Sequence, residues 1–489
     1  MKKFYITTAI PYVNAKPHLG HALEFVQADA IRRFQDMQGV ETLLLSGADE
    51  NALKNVQAAE SAGKVTQEFV DEYAGYFKQL LEKLNVRCDR FVKGSDQEHH
   101  FPASQKLWRR CEEAGDIYKK TYEGLYCVGC EAFYTPDELS ETGECFEHPG
   151  KKLEVVAEEN YFFRLSKYQQ ELIRLLEMDE LRIIPAHRKN EVLGFLRESL
   201  QDISISRSNK RAKNWGVPVP GDSSQRMYVW FDALNIYQSG VGFGWDEDQY
   251  QKWWPADMHV IGKGIIRFHA VYWPAFLLSA KLLLPRALFV HGYITVEGQK
   301  MSKTLGNVLD PFLLIEQYGS DPLRYYLLRE IPSGEDGDFS HVKFIERYNG
   351  ELANGLGNLV ARVTTLGEKL GIVADWARYL AKEVQEKVNE IDKKYTHYFE
   401  EIRIHEAIGA ASELITFADK YINEHKPWSI ENEEERKRVL VNAAHCAERV
   451  AVFLQPALPE TAEKVHEQIM FREGNLEMKK RGSLFPRAE

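Results

Sequence analysis

The chain has 489 residues, too many for one ordinary hydrophobic core, so roughly two to four domains are expected. Its 44% hydrophobic and 28% charged residues are those of a soluble globular protein. A formal net charge of −11 excludes a generally cationic nucleic-acid coat, so any RNA contact has to be confined to a local face.

Residues 4–10 alternate β-formers and read as a strand. A turn over residues 11–17 follows, then His18-Leu19-Gly20-His21 and a helical pattern with Leu19, Leu23, Val26, Ala30, Phe34 and Met37 at steps of three and four. Gly39 sits where that helix would be capped. A strand feeding a helix through a turn with two imidazoles suggests a phosphate site. Amide groups at the helix start point at the ligand, the dipole favours anions, and Gly20 lets a flat ring approach the backbone. Taken alone, His-x-Gly-His is better read as a turn with two surface histidines. Lys2 and Lys3 precede an apolar stretch, but Pro11 cuts it too short for a signal peptide.

Residues 40–45 read as a second strand, ending just before Asp49. Strand, helix and strand at this spacing predict a right-handed parallel unit with ligands at the carboxyl ends of the strands. A helix with Phe69, Tyr73, Phe77, Leu80 and Leu84, a short strand near residues 86–92 and a helix around Leu107 complete half of a doubly wound sheet. The sheet is then interrupted. Cys127-Val-Gly-Cys130 and Cys145-Phe-Glu-His148 supply three thiolates and an imidazole, enough to close a tetrahedral shell around zinc. Four protein ligands leave no open position, so that zinc would be structural. Cys88, Cys111 and Cys446 stand alone and read as small buried residues. The six cysteines do not form a disulfide framework, which fits a reducing cytoplasm.

Residues 161–165 are strand-like, 166–176 helical, and Pro218 and Pro220 mark a boundary. The parallel sheet is expected to resume with a strand at 227–234 and another at 258–262. The insertion therefore splits one nucleotide-binding fold. Residues 268–294 are the most apolar, but charges and prolines break them. A membrane span needs ~20 largely uncharged residues, so a buried helix and strand are expected there. Residues 288–296 read as a further strand, followed by a turn at 297–299 and the lysine-bearing loop from Lys300 to Thr304. Two lysines on a mobile loop, opposite two histidines at a helix start, could neutralise a triphosphate from both sides. Beyond Asp310 the alternation of strands stops. Residues 344–370, 379–392, 403–421 and 433–454 carry helical periodicity and read as a helical bundle.

The histidine motif and Lys300-Met-Ser-Lys-Thr304 together resemble the paired HIGH and KMSKS signatures of class I aminoacyl-tRNA synthetases. The whole chain resembles the methionyl-tRNA synthetase family, from Ile6 to Arg487, through blocks at residues 215–220, 228–233, 267–269 and 307–311. The implied fold class is α/β: a doubly wound, Rossmann-type parallel-sheet catalytic domain split by a zinc-bearing insertion, followed by an α-helical bundle. The implied divisions are 1–115 and 226–320 for the two catalytic halves, 116–225 for the insertion, 321–345 for a connecting segment and 346–489 for an anticodon-binding domain.

The resemblance implies a methionine–tRNA ligase using ATP, methionine and tRNA(Met), with Mg2+ arriving on ATP and one structural Zn2+ held by Cys127, Cys130, Cys145 and His148. Methionine's carboxylate would attack the α-phosphate, and the acyl group would then pass to the terminal adenosine of tRNA. No enzyme nucleophile is required, so catalysis is positioning and charge stabilisation. By resemblance His18 and His21 hold the phosphates, Lys300 and Lys303 close over pyrophosphate, and Gly20 and Met301 pack near adenine. Ile10, Tyr12, Trp230, Ala233, Tyr237, Ile265 and His269 would line the methionine pocket, with Asp49 on the α-ammonium. Asn358, Arg362 and Trp428 would read the anticodon. On the residues alone, Trp230, Tyr237 and Trp428 read as packing residues, His269 as a satisfied buried histidine and Arg362 as a surface charge. A cytoplasmic monomer with no membrane partner is implied.

The chain also departs from the family. Asn51-Ala52 stands where His-Gly is usual, Gly264 where Asp often follows Lys263, Leu234-Asn235-Ile236 before Tyr237 is unusual, and Thr304 replaces a serine. The closest rival reading is a relative that activates another apolar amino acid such as leucine, valine or cysteine; the departures motivate a rival of another class, a non-catalytic tRNA-binding paralogue.

Overall fold

The computed structural model describes residues 2–127, 132–134, 139–140, 142–145, 153–300 and 309–488. Its chain divides into two compact units. One comprises Met1–Pro17, Val40–Leu81 and Arg87–Val290; the other comprises His18–Gly39, Glu82–Val86 and His291–Glu489.

The first unit is built on a six-stranded sheet in the order Arg90–Lys93, Glu41–Ala48, Lys3–Thr7, Met258–Gly262, Ala287–His291, Arg182–Ile184. The register is parallel where Leu45 meets Arg90, Ile6 meets Leu44, Thr7 meets His259 and Leu288 meets Ile183. Tyr5, Ile6 and Thr7 are fully buried, as a parallel sheet covered on both faces requires. Thr7 and His259 are 252 positions apart in sequence, so one sheet is assembled around an intervening stretch. The carboxyl ends of its strands lead into Ile10 and Tyr12, into Asp49, and into Ile265 and His269, the side on which doubly wound sheets bind ligands.

Between Ile117 and Met227 the chain forms antiparallel sheets, apart from Arg182–Ile184, which returns to the edge of the parallel sheet. Ile117–Cys127 pairs with Glu154–Phe163 along ten residue pairs, from Ile117–Phe163 to Tyr126–Glu154. A second sheet joins Pro218–Val219, Asp222–Met227 and Ser206–Ser208.

Some expected elements take another form. Residues 227–234 are not a strand of the parallel sheet. The strand Asp222–Met227 ends there and the helix Val229–Ala233 follows. Trp230, Phe231, Asp232 and Ala233 are all buried, and a short apolar run buried on every side reads alike as core strand or core helix. The strand expected over 288–296 breaks at Gly292 into Ala287–His291 and Ile294–Val296. A Cβ at Gly292 would lie 2.2 Å from the Glu335 carbonyl oxygen, so only glycine permits this approach.

The second unit is mostly helical. It contains Leu19–Met37, Ser320–Arg329, Lys382–Glu400, Ile404–His425, Glu433–Leu454 and Pro459–Gln468, with a hairpin of Ile469–Arg472 and Asn475–Met478. Phe34 of the first helix stacks on Phe399 with centroids 4.5 Å apart. The helix expected over 344–370 is wound in segments, α-helical at His341–Arg347 and Asn358–Gly367 and π-helical between them at Tyr348–Gly357. Among the described residues no helix is long and apolar enough to cross a membrane.

Candidate functional site

In the first unit, backbone pairing brings the loop after Lys3–Thr7 to the end of Glu41–Ala48. Tyr12 bridges Asp49, and the Asp49 N–H donates to the Pro11 carbonyl at 2.9 Å. The Tyr12 ring meets Trp230 edge-on at 6.1 Å, and Lys54 Nζ lies 3.1 Å from the centre of that same Tyr12 ring. Trp230 stacks face to face on Phe268 with centroids 3.8 Å apart and presents an edge to His269 at 6.1 Å. His269 Nδ1 lies 2.9 Å from the Ile265 carbonyl, which can only accept, so Nδ1 carries the hydrogen. Nε2 then accepts from the Tyr237 hydroxyl at 2.7 Å. Burial pushes His269 down to about 4, so this ring is neutral at physiological pH.

A second histidine backs the first. His259 lies 4.3 Å from the Tyr237 ring, and its Nδ1 is 2.7 Å from Thr7 Oγ1. Burial, and then the neighbouring His269, hold His259 well below the usual histidine range. Tyr12, Trp230, Tyr237, Ile265, His269 and, across the strand ends, Asp49 are therefore connected, and Ala233 shares the buried helix of Trp230. Ile10 packs against the same core, beside Gly47, where a Cβ would lie 3.4 Å from Ile10 Cδ1. Sequence reasoning missed Phe268 and His259. The signal for His259 was a polar residue inside the apolar strand Met258–Gly262.

Asn51, one of the departures, has a defined place. Its amide nitrogen donates to Asp232 Oδ2 at 2.6 Å and to the Gly94 carbonyl at 2.7 Å. Asp232 Oδ1 is met by His100 Nε2 at 2.8 Å and Ser104 Oγ at 3.0 Å, all of it buried. This network ties the Trp230 helix to the chain just after Asp49. Gly264 is exposed in the turn Lys263–Ile265.

In the second unit His18 is the N-cap of the helix Leu19–Met37. Its Nδ1 accepts from the Gly20 N–H at 3.1 Å, while His21 Nδ1 accepts from the His18 N–H at 3.1 Å. This is a reciprocal capping box built from imidazoles in place of Ser and Glu. Because both Nδ1 atoms accept, each neutral ring keeps its hydrogen on Nε2, as a donor. The rings lie 4.0 Å apart, and a Cβ on Gly20 would fall 2.9 Å from His18 Cε1. Desolvation, then the nearby His18 and His291, hold His21 well below the usual histidine range. His291 Nε2 is 3.0 Å from Glu24 Oε2, one turn beyond His21. Lys300 lies in the short strand Gln299–Lys300, paired through Thr295. Met301, Lys303 and Thr304 lie outside the described residues.

Further along this unit Arg362 donates to Asp419 Oδ1 at 3.0 Å and to Asn423 Oδ1 at 2.7 Å, with its guanidinium 5.9 Å from the Trp428 ring. Trp428 is 55% exposed, unusual for so large an apolar ring. Asn358 is exposed one turn before Arg362. In the insertion, Cys127 ends the strand Ile117–Cys127, and both Cys127 and Cys145 are buried. Cys130 and His148 lie outside the described residues. Among the described residues no group of three or more His, Cys, Asp or Glu is placed to hold a metal.

The family model for class I tRNA synthetases (M) matches residues 4–364, and that for the anticodon-binding domain of tRNA ligase matches residues 381–486. A methionine–tRNA ligase of Thermotoga maritima is 42% identical over 480 residues, covering 96% of this chain and 76% of the relative. One from Brucella suis is 41% identical over 472 residues, covering 95% and 91%. Among solved structures, Mycobacterium tuberculosis methionyl-tRNA synthetase in complex with methionyl-adenylate superposes with a TM-score of 0.93 at 37% identity, covering all of both chains.

Proposed function

This chain belongs to the class I tRNA synthetases of the methionyl family, and from that premise we infer that it activates methionine with ATP and transfers it to tRNA, as a methionine–tRNA ligase. One methionine carboxylate oxygen attacks the α-phosphorus, the bond to the bridging oxygen breaks, and pyrophosphate leaves. A ribose hydroxyl of the terminal tRNA adenosine then attacks the methionyl carbonyl and AMP leaves. The single observation that carries the choice of amino acid is the neutral aromatic pocket of Trp230, Tyr237 and His269. The Tyr237 hydroxyl and both His269 ring nitrogens are already hydrogen-bonded, and the rings suit an uncharged, polarizable thioether.

In this reading Ile10, Tyr12, Ala233 and Ile265 complete the pocket wall and Asp49 takes the α-ammonium, a charge-assisted contact. His18 and His21 donate from Nε2 to phosphate oxygens. The depressed proton affinity of His21 favours that neutral donor form. Gly20 leaves room for the flat base, with Met301 beside it, and Lys300 and Lys303 balance the charge on the departing pyrophosphate. Magnesium would come with ATP. Asn358, Arg362 and Trp428 would hold anticodon bases by hydrogen bonding and stacking. Three thiolates and an imidazole suit zinc, with the buried Cys127 and Cys145 as two of its ligands beside Cys130 and His148; such an ion would stabilise the insertion and take no part in the reaction. We place the enzyme in the cytoplasm as a monomer.

ATP–pyrophosphate exchange across the twenty amino acids tests the reading. Methionine should dominate; a preference for leucine would overturn the pocket assignment. Tight tRNA binding with no exchange for any amino acid would establish a non-catalytic paralogue instead.

A further inference from the structure

Arg324, on the helix Ser320–Arg329, is completely buried, and so is Asp29 on the helix that His18 caps. The Arg324 guanidinium donates to Asp29 Oδ2 at 2.7 Å and to the carbonyls of Leu84 at 2.9 Å, Pro456 at 2.7 Å and Ala457 at 3.1 Å. Arg33 donates to the same Asp29 oxygen at 2.6 Å and to the Asn85 carbonyl at 2.7 Å. A buried charge is tolerated only when its donors are met, and here Nε and both terminal nitrogens of Arg324 are met. The planar fork matters, because an ammonium cannot reach four acceptors spread around one plane.

Four segments converge on this side chain: the His18-capped helix, the turn at residues 84–85, the helix carrying Arg324, and the turn at 456–457 that joins Glu433–Leu454 to Pro459–Gln468. Asp29 follows His21 by eight residues on one continuous helix, about 12 Å along its axis. A helix carries translation and rotation along its length, so whatever holds Asp29 also sets where the two imidazoles stand.

We propose that Arg324 is a positioning residue for adenylate formation: through Asp29 it clamps the helix that presents His18 and His21, and so sets the height and rotation at which they meet the triphosphate. The proposal rests on the functional reading above. Arg324 touches no substrate and acts only through that helix.

The test is methionine-dependent ATP–pyrophosphate exchange on the full chain, comparing the native protein with Arg324→Lys and Asp29→Asn, each also followed by thermal unfolding. At a temperature where the variants are folded, KM for ATP should rise about tenfold while KM for methionine stays within about twofold. Arg324→Lys should show this split although it keeps the charge. A residue that merely supports the fold would lower Tm without separating the two constants. An unchanged KM for ATP, or an equal rise in both constants, overturns the proposal. Should both variants unfold, Arg33→Gln, which takes from Asp29 its second partner and from the helix its bond to the Asn85 carbonyl, enters the same assay, and the absence of a split there overturns it too. Native protein without methionine-dependent exchange would overturn the functional reading instead, so the two failures are distinguishable.

Discussion

Tyr237 donates its hydroxyl hydrogen to His269 Nε2 at 2.7 Å, because the other ring nitrogen of His269 is already committed to the Ile265 carbonyl. The pair is thereby neutral and directional. Tyr237→Phe leaves a buried ring nitrogen without its donor, which should cost about 1–3 kcal/mol of stability. We expect KM for methionine to rise with KM for ATP little changed. Denaturant unfolding and steady-state exchange check the two parts.

Burial lowers the proton affinity of His269, to about 4, and of His259. Both groups have folded pKa values below their unfolded ones, so the unfolded chain binds more protons and stability falls with acidity. The loss should begin near the ordinary histidine pKa of about 6.5 and be complete for His269 below about 4, amounting to about 3 kcal/mol for that one ring. Melting temperature measured from pH 7 to 4 should drop accordingly, and His269→Gln should flatten part of the slope.

Asn51→His restores the residue common in the family but should destabilise this chain. A neutral imidazole has one N–H, whereas the Asn51 amide serves both Asp232 and the Gly94 carbonyl. One buried acceptor is stranded, for a loss of about 1–3 kcal/mol by urea unfolding.

Cys145→Ala should release zinc and lower the unfolding temperature of the insertion, since metal binding and folding are coupled in such sites. Metal analysis of the purified native protein should find one zinc per chain. A native protein without zinc would remove the assignment.

Trp428→Ala should weaken tRNA charging about five- to a hundredfold, the scale of one lost base stack, while leaving exchange nearly unchanged. Equal losses in both assays would make Trp428 a packing residue.

Much of the fold is legible in local pattern. The strand, turn and helix that begin the chain are marked by period-two and period-3.6 spacing and by Gly39, whose φ of 72° follows the helix end. The bundle helices are legible for the same reason. The helix at Val229–Ala233 was not, since an apolar run buried on all sides has no periodicity to read. Gly292 was not either: the break it makes depends on the Glu335 carbonyl, forty-odd residues away.

By itself the sequence determined which chemical groups are present and in what order. These were two imidazoles at a helix start, two lysines three residues apart further along the chain, paired cysteines, and an arginine one turn after an asparagine. Spacing and side-chain type are properties of neighbouring residues, so they survive without a fold. Only the tertiary structure decided that Phe268 lies under Trp230, that His259 backs Tyr237, that Asn51 braces Asp232 and that Arg324 holds Asp29. Each of these contacts joins segments distant in sequence or depends on how a ring turns within a buried core, and close packing, rather than local preference, selects it.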